Sequence, residues 1–195
     1  MHTRLLYAIV LLGCASAPRP YHDPIPTRIT SKWMLEAFPN CIDFCIDAKR
    51  DSLWAAIRDR PDAVVALMEI ARDPSIDGFT KSNAILRAGS TGQAPAYRSM
   101  LMLWAELPPK DGLLPDISMS LGRNGTELPR DVYAGIERFL RGGDVDHSRM
   151  AVFILADRKT PLANAILTRY RSGDAPCFAV RGDSSVANCA APCCG

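Results

Sequence analysis

Two stretches of this chain match each other without a gap at an offset of 69 positions, Val64–Leu101 and Tyr133–Tyr170. Leu67, Ile70 and Ala71 fall on Ile136, Phe139 and Leu140. Ile76-Asp77 falls on Val145-Asp146, Ile85-Leu86 on Ile154-Leu155, and Ala94 and Ala96 on Ala163 and Ala165. Each copy reads as helix, tight turn, helix, turn and the start of a third helix. Periods of roughly 20–50 residues mark stacked-repeat folds, in which no hairpin can bury its apolar face alone. The spacing leaves room for one more unit of about half the offset, Met102–Val132. Pro108, Pro109, Pro115 and Pro129 are expected to break that unit into short pieces. The shared turn, Ile/Val followed by Asp, argues against chance similarity, because core periodicity alone does not require it.

Apolar residues recur at helical spacing, and no stretch alternates convincingly with period two. The pattern predicts helices at Ser31–Phe38 (with Ser31 as cap), Cys41–Ile57, Asp62–Arg72, Phe79–Ala88 ending at Gly89, and Ala94–Leu107. Further helices are predicted at Ser118–Leu121, Arg130–Arg141, His147–Asp157 and Leu162–Arg171. The expected fold class is all-α: a short αα-superhelix with a cysteine-rich, irregular C-terminal tail. Leu67, Ile70, Ile85, Leu86, Ile136, Phe139, Ile154 and Leu155 are the expected core. Trp33, Trp54 and Trp104 lie in apolar helical patterns and read as core before they read as ligand anchors.

A net charge of +2 with no basic run excludes a nucleic-acid footprint. Residues 1–17 read as an export signal: His2 and Arg4, the apolar run Leu5–Leu12, then small residues. The run is too short to span a bilayer as a helix. Leu11-Leu12-Gly13-Cys14 looks like a bacterial lipoprotein box, which implies cleavage before Cys14 and lipid on that cysteine. The competing reading is simple cleavage after Ala15-Ser16-Ala17, disfavoured by Pro18 directly after it. Residues 18–30 are a Pro-rich tether or wrapping arm, 31–172 the helical domain, and 173–195 the tail. Localisation follows the leader: the bacterial envelope, lipid-anchored or periplasmic, or alternatively secretion.

With Cys14 acylated, six cysteines remain: Cys41, Cys45, Cys177, Cys189, Cys193 and Cys194. An even number suits an oxidising compartment. The twin Cys-x3-Cys pairs fit two parallel disulfides, Cys41 and Cys45 with Cys189 and Cys193, with Cys177 free to pair with Cys194. Their alternative is a four-thiolate zinc site. Gly142-Gly143-Asp144-Val145-Asp146-His147 is the other chemical constellation. Asp144, Asp146 and His147 are weak metal or general-base candidates. The plainer reading is an interhelical turn with Asp146 as N-cap, matching Asp77 in the first copy. Arg181-Gly182-Asp183 and Asn124-Gly125-Thr126 match short motifs that recur by chance. No Gly-rich phosphate loop or nucleophile elbow is present, and no cofactor or catalytic residue is assigned.

Arg72-Asp73-Pro74-Ser75-Ile76-Asp77 leads into Ala84-Ile85-Leu86. Gly143-Asp144-Val145-Asp146 leads into Arg149-Met150-Ala151-Val152 and Leu155. These words resemble bacterial HEAT-type repeats, in which an Asp/Pro turn precedes a helix carrying a basic residue, then small and large apolar residues. The resemblance covers roughly residues 51–172. In the first copy the basic residue, Lys81, stands one position beyond the equivalent of Arg149. Solenoids offer an extended binding face, so the expected function is non-catalytic binding of a protein partner in the envelope, with the membrane reached through Cys14. An envelope hydrolase or metal enzyme using Asp144, Asp146 and His147 is one alternative. A small inhibitor or immunity-type protein is the other.

Overall fold

The computed structural model describes residues 24–38, 48–123, 127–142 and 144–171, the side chains of 48–50 and 171 excepted. Among these residues the protein is all-helical. The helices are α1 (Ser31–Ala37), α2 (Ala48–Ile57), α3 (Pro61–Arg72), α4 (Gly78–Ser90), α5 (Ala94–Glu106), α6 (Leu114–Gly122), α7 (Arg130–Gly142), α8 (Val145–Arg158) and α9 (Pro161–Arg171). Cys14 and the six other cysteines, the leader, the sequon-like turn and the tail lie outside the described residues.

The helices alternate between two layers. Helices α1, α3, α5, α7 and α9 follow one another in the first layer, and α4, α6 and α8 in the second. Trp54 places α2 beside α4, since its ring meets Phe38 edge-on and lies under the Arg87 guanidinium. The core lies between the layers, with Ile57, Leu67, Ile85, Met100, Ile117, Ile136 and Ile154 fully buried. Of the expected core residues, Leu86 and Phe139 are only partly buried, because both sit at the margin of their helices' buried stripes. Trp104 and Trp54 belong to the core, and Trp33 packs against it.

Helical pairs start at Pro61, Ala94 and Arg130, and α9 follows them. The middle unit is complete rather than fragmented. Pro108 and Pro109 lie in its connecting turn, Pro115 sits in the first turn of α6, and Pro129 precedes α7. In the first turn the missing N–H is one the helix does not need, so Pro115 is accommodated there, and none of the four prolines interrupts a helix.

The gapless offset holds only for the first helix of each copy. Helices α3 and α7 begin 69 positions apart, but α4 and α8, and likewise α5 and α9, begin 67 apart. The cause is turn length. Five residues, 73–77, join α3 to α4, while two, 143 and 144, join α7 to α8. Ala96 therefore matches Ala163, and both are fully buried, whereas Ala165 is exposed.

Local signals explain most helix ends. Thr30, not Ser31, caps α1, accepting from the Trp33 N–H at 3.2 Å. Gly89 does not end α4, which runs on to Ser90. The left-handed residue behind it is Gly92, at φ +69°, where glycine carries no Cβ penalty. Gly89 instead lies against Ser120 of α6. At the N-terminal side, Arg60 donates to the carbonyls of Pro26 and Thr27, and Asp62 accepts from the Ile29 N–H at 2.7 Å. The described end of the Pro-rich segment is thus held against the start of α3, with Ile29 buried.

Candidate binding surface and the Asp144–His147 cluster

Asp144 is the N-cap of α8; the expected cap, Asp146, is already in the first helical turn. Asp144 Oδ1 accepts from the N–H groups of Asp146 at 2.9 Å and His147 at 3.1 Å. The two-residue turn moves the helix start back by two positions, so the first carboxylate of the Asp-Val-Asp run reaches the free N–H groups. Asp77 does cap α4, accepting from the Thr80 N–H at 3.0 Å and the Thr80 hydroxyl at 2.7 Å. Asp144→Ala is expected to cost about 0.5–2 kcal/mol. Asp146→Ala is expected to change little, since only a first-turn charge is lost. Asp77→Ala should destabilise and Asp77→Asn much less. Urea unfolding of the four variants checks the assignment.

His147 is buried and fully engaged. Nδ1 meets Asp144 Oδ2 at 2.6 Å and Nε2 meets the Trp104 carbonyl at 3.1 Å. The ring stacks on Phe139 at 5.3 Å and on Trp104 at 6.0 Å. The sequence supplies the reason for the second bond. Trp104 lies in the last turn of α5, and the residue four positions on, Pro108, has no N–H to offer its carbonyl. The imidazole fills that place. The same helix serves its other neighbours: Arg158 Nε donates to the Leu121 carbonyl at 2.6 Å and Ser148 Oγ to the Phe139 carbonyl at 2.8 Å. Thus α8 closes carbonyls near the ends of α5, α6 and α7. Cationic groups also suit the negative ends of helices.

This geometry leaves the cluster little chemistry. Both ring nitrogens of His147 are committed to internal oxygens, and two aromatic rings cover it. A general base must reach the proton it takes, and here both ring nitrogens already meet oxygens of the protein itself. Among the described residues no three His, Cys, Asp or Glu side chains converge as a metal-ligand set. Asp146 joins neither bond of the Asp144–His147 pair.

Burial opposes ionisation of Asp144, but the N–H and imidazole of His147 outweigh it and hold the carboxyl below its ordinary value. The N–H and hydroxyl of Thr80 lower Asp77 in the same direction. A carboxyl depressed in the folded state contributes stability that is present above its unfolded value, about 4, and lost as pH falls through the folded value. The stability curve should therefore fall below about pH 4. In Asp144→Asn the acid limb should be shallower than in the parent chain, as read by urea midpoints at stepped pH.

An open groove of about 750 Å³ lies between α7 and α9. Buried Leu128 and Ile166 form its floor, and exposed Ala134 and Ala165 stand on its two helical walls. Methyl side chains at both wall positions leave space that a larger residue would fill. Tyr133 ties the floor together. Its hydroxyl donates to Glu127 at 2.8 Å and pairs with the Thr160 hydroxyl at 2.6 Å. The Glu127 carboxylate accepts, so Thr160 is the donor to Tyr133, and its lone pair receives the Ala163 N–H at 3.3 Å. Burial foremost raises the Tyr133 phenol above its ordinary value. On the rim, Glu137 accepts from Arg141 at 2.8 Å and from Arg169 at 3.4 Å. Arg130 and Arg169 also line the groove.

None of these groove residues stood out in the sequence as a site. Small residues on facing helix walls have no signal of their own in a single sequence. No protein family, curated protein or solved structure matches this chain. Among the described residues no helix is long and apolar enough to cross a membrane.

Proposed function

We propose that this chain is an exported helical-repeat protein, a short αα-superhelix of HEAT-like hairpins with a cysteine-rich tail, that binds a protein partner in the bacterial envelope. In this reading Cys14 carries the lipid, and the groove between α7 and α9 receives the partner. The observation that carries it is the groove itself: an apolar floor, alanine walls, and charged side chains of both signs on the rim. Such a surface suits an apolar anchor residue ringed by polar contacts, the usual anatomy of a protein interface. The enclosure of His147 favours binding over catalysis at the Asp144 turn.

The anchor is tested separately from the groove. Expressed in a bacterial host, the chain is expected in the membrane fraction with an intact mass that includes acyl chains. Cys14→Ser should release it, because burial of acyl chains supplies the membrane affinity. A mature protein beginning at Pro18 with no added mass would remove the anchor from the reading. Adduct formation from the groove tests the partner.

A further inference from the structure

We infer that the occupant of the α7–α9 groove is a short, acidic, amphipathic helix of the partner protein. The inference rests on the groove reading above and names what that groove selects. The first observation is that the space is local to this junction. The fifth residue of the successive first-layer helices α3, α5, α7 and α9 is Val65, Arg98, Ala134 and Ala165. Arg98 reaches across its own junction to Asp131 at 2.6 Å. Between α7 and α9 both positions are alanine, and the space between the walls stays open.

The second is the form of that space. Its α7 wall runs from Arg130 to Glu137 and its α9 wall from Pro161 to Arg169. At 1.5 Å per residue the first wall is about 11 Å long, two helical turns. Along helical walls the backbone groups are paired within the helix. An extended peptide finds no free ladder of N–H and C=O groups there, whereas a helix arrives with its own backbone satisfied. An apolar residue on such a helix reaches Leu128 and Ile166 on the floor, and the alanine walls let its backbone come close.

The third is charge. The carboxylates around the groove are engaged within the protein. Asp131 is held by Arg98, Glu127 accepts from the Tyr133 hydroxyl, and Glu137 receives both Arg141 and Arg169. Arg130 and Arg138 stand one turn before and one turn after Ala134, on the same helical stripe. Both are exposed, and among the described residues neither meets a carboxylate. The α7 wall therefore presents unmatched positive charge beside an apolar floor. An occupant with carboxylates flanking its apolar residue is drawn to that wall, and a basic one is repelled.

The test places benzoylphenylalanine at Ala165 of the full chain in living cells and maps the adduct peptide by peptide. The crosslinked segment of the partner should carry net negative charge, with apolar residues at helical spacing. Arg130→Glu combined with Arg138→Glu should lower the adduct yield about tenfold. Arg130→Lys combined with Arg138→Lys should keep most of it. Arg28→Glu combined with Arg123→Glu alters two exposed cations outside the groove lining, changes net charge equally, and should leave the yield unchanged. An unchanged urea midpoint checks that each chain is folded. A basic or uncharged crosslinked segment, one without helical spacing, or equal yields from the parent and the groove-reversed chain would overturn the inference. Each of those results leaves the groove as the binding site. No protein adduct from Ala165 in the parent chain would instead remove the groove reading, and this inference with it.

Discussion

Truncation of Trp104 to alanine is expected to cost about 3–5 kcal/mol, a large share of the stability of a domain this size. The indole is fully buried, packs on Phe139 with ring centroids 4.3 Å apart, and lies beside the His147 ring. Its removal opens a cavity where α5, α7 and α8 meet and takes away the surface on which His147 stacks. The backbone carbonyl that receives His147 Nε2 remains, so the loss reports packing more than that hydrogen bond. Trp104→Phe separates the parts. It keeps an aromatic face and deletes the indole Nε1, which is buried without a hydrogen-bond partner. Losing an unsatisfied donor offsets some of the lost contact area, so Trp104→Phe should cost clearly less than Trp104→Ala. Urea unfolding should show a lowered midpoint at unchanged slope for both.

Gly89→Val is expected to destabilise by about 3 kcal/mol, at the upper end for overpacking a close contact. A Cβ built at Gly89 stands 2.6 Å from the Ser120 Cβ and 3.2 Å from the Ser120 Cα. The second atom is backbone, so relief needs α4 and α6 to move apart instead of one side chain turning aside. In an exposed helix Gly→Ala would gain about 1 kcal/mol in propensity; here the clash reverses the sign. Ser120→Gly should restore part of the stability to Gly89→Ala, because the two residues share one contact and their effects do not add. Simple additivity of the two substitutions would mean that the helices do not approach at this point.

The helical character and most helix positions were legible because apolar spacing and capping residues are local signals. Asp77 as a cap is such a signal, and α4 begins directly after it. The matching start of α8 was misread because a gapless alignment carries Asp77 onto Asp146. Turn length, which decides whether Asp144 or Asp146 reaches the free N–H groups, is not visible in apolar periodicity. Gly89 was misread for a related reason. A glycine near a helix end looks like a stop, and only the approach of α6, distant in sequence, shows that it is there for lack of a Cβ. The middle unit looked broken because a proline count does not tell a first-turn proline from an interior one. The groove and the carbonyl closures by His147, Ser148 and Arg158 join elements far apart in the chain. Their residue types are ordinary, and each acquires its role from the partner that the fold sets opposite it.

The central claim, that the chain binds a protein partner through the α7–α9 groove, is tested most directly by crosslinking in living cells. Benzoylphenylalanine is placed singly at Ala134, at Ala165 and at Lys110, an exposed turn residue away from the groove. The account predicts one discrete protein adduct from both alanine positions, none from Lys110, and loss of the Ala165 adduct when Ala134→Trp fills the groove. Adducts of equal yield from Lys110, or none from either groove position in cells where the protein is folded and exported, would contradict it.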